Sequence, residues 1–393
     1  MRTIEKYLIA LYFFISPVEI ALHLLVTSST KYVGLAIIIV EICILVSKGG
    51  KAVFKFSAST ISIIVWCVYC VLSLVWTSLN EYTYEYLSTY FFMSALLLVA
   101  TFELWDSDSV NLFLYAYLFG SLLMAITSIL FAGGKYYDRE TIVILGRECD
   151  PNQVAANIIP GIVIFLDVAL KKHKSIFINV CCYAGAALCI YSVFLTGSRG
   201  GFIALLLSIV SVIIIGKRNK IISIKQIIVA AIIGIAAYSY FFVQQEWRVL
   251  DFGSYTSTYA NGSGRTVIWK TLLKSFDINW LWGHGVGSSI SYFKYEFGKA
   301  VAVHNTFLLV LYEVGILGFG IFIFSFVNMA YYHRKNGVMF SIIIGSMISS
   351  FFLDALNQRY LWNSLMLCIM KYNADSNLQT ETVPNRTKCR YFR

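Results

Sequence analysis

The chain has 393 residues, of which 58% are hydrophobic and 13% are charged, with a mean hydropathy of +0.72. A soluble domain carries about a quarter charged residues, so the composition excludes an ordinary soluble fold and points to an integral membrane protein. The net charge of +10 lies in the segments between apolar runs, so it needs no nucleic acid as partner.

Apolar runs of bilayer length, about 20 residues each, can be followed along the whole chain. The predicted spans are Tyr7–Val26, Tyr32–Val46, Ile61–Trp76, Tyr86–Phe102, Val110–Ala132 and Val154–Leu170, then Ser175–Leu195, Gly201–Ile215, Ile227–Val243, Thr306–Ala330, Val338–Leu353 and Tyr360–Met370. The expected fold class is therefore all-α integral membrane, with about 12 transmembrane helices in one multi-span domain. Residues 244–303 form its one large loop, between spans nine and ten. The first run has no small-residue cleavage site and reads as a retained span. Tyr360–Met370 is short and polar at its start. Many of the 26 Tyr, 29 Phe and 8 Trp stand near the ends of runs, where interfacial anchors belong.

Nineteen of the 31 Lys and Arg fall in one alternate set of loops and termini, against six in the short loops of the other set. The positive-inside rule then puts both termini in the cytoplasm. It follows that the loop at 132–153, the turn at Thr196–Gly200, the large loop and the turn at Asp354–Arg359 are all extracytoplasmic. Seven of the nine cysteines lie inside apolar runs and form no disulfide or zinc pattern. Asp138, Glu140, Glu148 and Asp150 lack coordinating spacing, so no cofactor is expected and any chemistry is expected to be metal-independent.

The residues suited to chemistry collect on that outer side. Arg199 sits in Thr196-Gly197-Ser198-Arg199-Gly200-Gly201 between two apolar runs. Exposed N–H groups beside the glycines and the Ser198 hydroxyl suit an anion site, while a snorkelling anchor is the plain alternative. Arg265 precedes Ile268, Leu272 and Phe276 at helical spacing, which predicts an amphipathic helix on the membrane surface. Its guanidinium offers the bidentate fork that Lys270 and Lys274 lack. His304, followed by Asn305, stands where a polar loop enters an apolar helix; it is either a proton acceptor or a solvated helix-start residue.

Four weaker features complete the set. Asp150-Pro151-Asn152 reads first as an N-cap with proline at the first helical position. Asn157 and Pro160 lie within the following span, where a break could expose backbone to a cavity. The run Gly283-His284-Gly285-Val286-Gly287 has no preceding strand and is no nucleotide loop, though His284 could touch glycan or phosphate. Glu313 is half a turn off the face of His304 and, if it acts, pairs with another span; Gly315 and Gly318 read as close-packing residues for a neighbouring helix.

Taken in order, Asp150-Pro151-Asn152, Thr196 to Gly201, Gly264-Arg265-Thr266-Val267-Ile268-Trp269, the Gly283–Gly287 turn, and His304-Asn305 with Glu313-Val314-Gly315-Ile316-Leu317-Gly318 resemble the bacterial O-antigen ligase and polysaccharide polymerase superfamily. The specific part of the resemblance runs from about Leu145 to Gly320. It implies a glycosyltransferase of the bacterial inner (cytoplasmic) membrane, working on the extracytoplasmic face. The donor would be a glycan on undecaprenyl pyrophosphate, and the acceptor a hydroxyl of lipid A core or of another lipid-linked glycan. By the same resemblance Arg199 and Arg265 would bind the pyrophosphate and His304 would act near the acceptor, supported by Asn305, Ser198, Asp150, Asn152, Glu313 and His284. A chain-length regulator and a flippase would be its protein partners. The competing reading is a flippase or exporter of lipid-linked glycans, for which charges along a central path and paired halves would be expected.

Overall fold

The computed structural model describes residues 1–25, 28–47, 56–77, 81–102, 105–136, 139–144, 147–170, 175–218, 265–275 and 277–382. The helices, in chain order, are α1 (Arg2–Ile15), α2 (Glu19–Leu22), α3 (Ser29–Ser47), α4 (Ala58–Leu72), α5 (Glu81–Phe102), α6 (Ser107–Leu130), α7 (Pro151–Leu170), α8 (Ile176–Leu195) and α9 (Arg199–Arg218). After the undescribed stretch come α10 (Arg265–Lys274), α11 (Ser288–Phe297), α12 (Thr306–Tyr332), α13 (Gly337–Ser350) and α14 (Arg359–Thr382). Among the described residues, eight helical segments are long and apolar enough to cross a membrane. The predicted ninth span, Ile227–Val243, lies outside the described residues.

Two expectations need correction. The first run does not continue as one helix to Val26: α1 ends at Ile15, and the short α2 follows a turn. The loop at 132–153, read only as a loop, has regular structure of its own, although the membrane architecture is all-α as expected. It holds a small antiparallel sheet of β1 (Ala132–Tyr136), β2 (Arg139–Ile144) and β3 (Arg147–Glu148) in that order, with an irregularity between Ala132 and Gly134. Consecutive Thr141, Ile142 and Val143 supply the β-branched character of β2. Thr141 and Ile142 are buried, so the sheet is seated on the helices.

The bundle packs α9 on α13, α7 between α6 and α8, α4 on α12, and α1 on α6. Near the middle lies α14. Its residues from Tyr360 to Met370 are all buried, which accounts for the polar Asn363 and Ser364 that made this span weak in the sequence. A helix enclosed by other helices has no lipid-facing stripe to keep apolar. The lipid side, by contrast, carries exposed Ile176, Phe177 and Val180 on α8 and Leu206 and Ile214 on α9. Pro160 sits inside α7 without ending it, and the Tyr117 hydroxyl donates to the Asn157 carbonyl one turn away from the proline. The polar atoms there face protein, and no break opens in α7.

Candidate active site

The starts of α7, α9, α12 and α14 meet at one end of the bundle, together with α10 and the turn at residues 351–358. At the start of α9, Gly197 has a positive φ of 57° and turns the chain sharply out of α8. Ser198 then caps the new helix, its Oγ accepting from Gly201 N at 3.0 Å. The same hydroxyl donates to Asn152 Oδ1 at 2.8 Å, and Asn152 donates through N (2.8 Å) and Nδ2 (3.0 Å) to Asp150 Oδ1. Asp150, Asn152 and Ser198 thus form one relay that ties the start of α7 to the residue before Arg199. The N-cap reading of Asp150 and the first-position reading of Pro151 both hold. Arg199 is half-buried, and a Cβ on the next residue, Gly200, would lie 2.6 Å from the Phe352 ring. Glycine at 200 lets the start of α9 close on the 351–358 turn.

Arg265 opens α10 and is also half-buried. The amphipathic helix is present, but its apolar face is turned to protein rather than to a lipid surface. Leu272 is fully buried, Trp269 Nε1 donates to the Val303 carbonyl at 3.0 Å, and the Trp269 ring stands 5.6 Å from that of Phe351. Phe276 lies outside the described residues. The indole bond joins the arginine-bearing helix to the residue just before His304.

His304 is half-buried and takes a left-handed conformation with φ 54°, one of two such non-glycine residues among those described. A histidine there carries strain of order 1 kcal/mol and persists only where its surroundings hold it. Asn305, buried, caps α12 by accepting from Leu308 N at 3.0 Å. The backbone N–H groups of His304 and Asn305 both point at the carboxylate of Asp354, in the 351–358 turn. The imidazole of His304 and the guanidinium of Arg265 also act on that carboxylate electrostatically. Burial pushes the Asp354 carboxyl above its ordinary range, and the two cations with the two N–H groups pull it back without overcoming burial.

Asp354 is the principal functional candidate that sequence reading missed, having served only to mark the start of a turn. The available signal was an acid set directly between Phe351-Phe352-Leu353 and Ala355-Leu356, at the end of a span where a carboxylate is costly.

Glu313 and His284 belong to a neighbouring constellation. Glu313 is buried and accepts from Ser289 Oγ at 2.6 Å, at the N-terminus of α11; its partner is in that short helix and not in another span. Gly315 does not pack against a neighbouring helix as expected. It breaks α12 with φ 68° and ψ −176°, and the loop at 281–285 lies against it. The break leaves carbonyls that the loop takes up: His284 N donates to Tyr312 O at 2.9 Å and Gly285 N to Glu313 O at 2.8 Å. The His284 ring stacks on Tyr312 with centroids 4.2 Å apart, its Nε2 3.4 Å from Asp277. The glycine run is therefore a backbone splice onto the kink. Gly318, in keeping with its expected packing role, faces Tyr69 of α4. Among the described residues, no group of three His, Cys, Asp or Glu side chains is arranged to hold a metal ion.

The fold and these residues define a multi-pass membrane protein with cationic, imidazole and carboxylate groups gathered at one end of its bundle. The family model described as O-antigen ligase matches residues 184–323, so this stretch of the chain is similar to that family. The match contains Arg199, Arg265, His304 and Glu313 and ends before Asp354. No curated protein matches the chain.

Proposed function

We propose that this protein transfers a glycan from a polyprenyl-pyrophosphate carrier, undecaprenyl pyrophosphate in bacteria, to a sugar hydroxyl at the extracytoplasmic face of the inner membrane. Lipid-linked glycan and lipid A core are the substrates the family implies in general; a second lipid-linked chain would make the same chemistry a polymerase. His304 takes the proton of the acceptor hydroxyl. The acceptor oxygen bonds to the anomeric carbon while its bond to the pyrophosphate oxygen breaks, and this single displacement inverts the centre. Arg199 and Arg265 neutralise the pyrophosphate as it leaves. Asp354 stabilises the imidazolium that forms.

The observation that carries this reading is the meeting of His304, Arg265 and Asp354: the acid faces both the base and one of the phosphate-binding arginines. Such an arrangement suits proton removal beside an anionic leaving group, and the reaction as written needs no metal. Both termini would be cytoplasmic, as the loop charges imply.

The test is a gel of surface glycans from a strain lacking the gene, rescued by wild type or by His304→Ala. Long chains lost from lipid A core but retained on carrier lipid mean ligase, and a core bearing one repeat unit means polymerase. With purified protein, His304→Ala should slow transfer by about 10²–10⁴. Wild-type turnover in that variant would remove His304 as the base.

A further inference from the structure

Asp354 has an unusual backbone, with φ −84° and ψ 84°, outside both helix and strand. A single hydroxyl brackets it. Thr306 Oγ1 donates to the Leu353 carbonyl at 2.6 Å and accepts from Ala355 N at 2.7 Å. These are the peptide groups on either side of Asp354. Thr306 is fully buried at the first position of α12 and directly follows His304-Asn305. A threonine at a helix start ordinarily caps its own helix, but Asn305 performs that function here. The Thr306 hydroxyl instead reaches 47 and 49 residues along the chain.

We propose that Thr306 is a positioning residue for the transfer reaction: by fixing the two peptide groups that flank Asp354, its hydroxyl holds that carboxylate against His304. The inference rests on the reading of His304 as the base. The polypeptide around His304 grips the acid twice, through the N–H groups of His304 and Asn305 and through the Thr306 side chain, so the base and its partner are set by three consecutive residues. Other links hold the turn further out: Trp362 Nε1 donates to Leu356 O at 2.9 Å, and Arg359 Nε donates to Thr30 Oγ1 at 3.0 Å. Neither touches the peptide groups beside Asp354.

The experiment compares Thr306→Val, which keeps the shape and loses the hydroxyl, with Thr306→Ser, which keeps the hydroxyl. Both are purified as full chains and assayed with lipid-linked donor across pH. The ionisable groups acting on Asp354 are His304, Arg265, Glu313 and the phenols of Tyr86, Tyr90 and Tyr360. Of these, only His304 is hydrogen-bonded to the turn through its own backbone.

In Thr306→Val, kcat should fall by at least about tenfold, because small misplacements of reacting groups cost that much or more. The donor KM should stay within about twofold, since the arginines are untouched. The acid limb of kcat should move to lower pH, because an imidazole that loses its carboxylate partner holds its proton less tightly. Thr306→Ser should restore both quantities. If the valine variant does not fold, Thr306→Ala removes the same hydroxyl and takes its place. Wild-type kcat in the hydroxyl-less variant overturns the proposal; so does a kcat loss with an unmoved acid limb, or one that serine fails to restore. His304→Ala, run alongside, separates the two levels: an active His304→Ala defeats the base reading, whereas an inactive one with a normal Thr306→Val defeats only this inference.

Discussion

Gly315→Ala and Gly320→Ala put the same methyl group on the same helix, a little over one turn apart, and should have opposite consequences. Gly315 has φ 68° and ψ −176°. That region is essentially reserved for glycine, and a side chain there costs about 1–3 kcal/mol. Its new Cβ would also lie 2.5 Å from Gly283 N and 2.6 Å from both Leu281 O and Trp282 C. All three are backbone atoms, so no side chain can swing aside. Relief requires the loop to withdraw, which breaks the bonds from His284 N and Gly285 N to the carbonyls of Tyr312 and Glu313. At about 1 kcal/mol net for each bond, the total reaches roughly 3–5 kcal/mol. A Cβ on Gly320 meets nothing within 4 Å, and alanine there gains up to about 1 kcal/mol of helix propensity.

The assay is thermal unfolding of the two purified variants in one detergent, with glycan transfer measured on the same samples. Gly315→Ala should unfold at clearly lower temperature and lose transfer, because the segment that leads into His304 is spliced to the helix at this point. Gly320→Ala should match or exceed wild type in both. Equal behaviour of the two would refute the account of the kink.

Two further outcomes follow from the contacts around His304. Asp354→Asn should abolish most transfer yet stabilise the fold as pH rises. Burial raises the Asp354 carboxyl in the folded state, so folding favours its protonated form; stability is full below the ordinary aspartate range and is lost as pH climbs through the raised value. Asparagine does not ionise, so its melting temperature should fall less than that of wild type over this climb, and a parallel pair of curves would count against a buried acid. Trp269→Phe removes the indole N–H from the Val303 carbonyl. It should raise the donor KM by about tenfold, the equivalent of roughly 1.4 kcal/mol, with a smaller change in kcat, measured by titrating lipid-linked donor. An unchanged KM would mean that α10 does not depend on this bond to place Arg265.

The features written in local chemistry were legible in the sequence. Apolar runs separated by charged turns predicted most helices to within a few residues. Asp150-Pro151 announced the start of α7. Arg265 and His304, 39 positions apart in the chain, were paired only because topology put both on one side. What stayed hidden was decided by tertiary contact. Asp354 has no motif of its own, and its importance comes from the N–H groups of residues 304 and 305 aimed at it. The role of Gly315 was misjudged because a glycine that packs helices and a glycine that breaks one look alike in sequence. The short sheet at 132–148 was lost among the helices because its strands are brief and lie in one loop between spans.

The left-handed turn at His304 links the strain to the chemistry. With φ at 54° at His304 and an extended Asn305 following it, the N–H groups of both residues are directed at the Asp354 carboxylate. Under the proposed mechanism these N–H groups are engaged by Asp354, which leaves phosphate binding to the side chains of Arg199 and Arg265 and sets the acid beside the proposed base. The strained turn at residue 304 and the placement of the buried Asp354 carboxylate are therefore parts of one local arrangement.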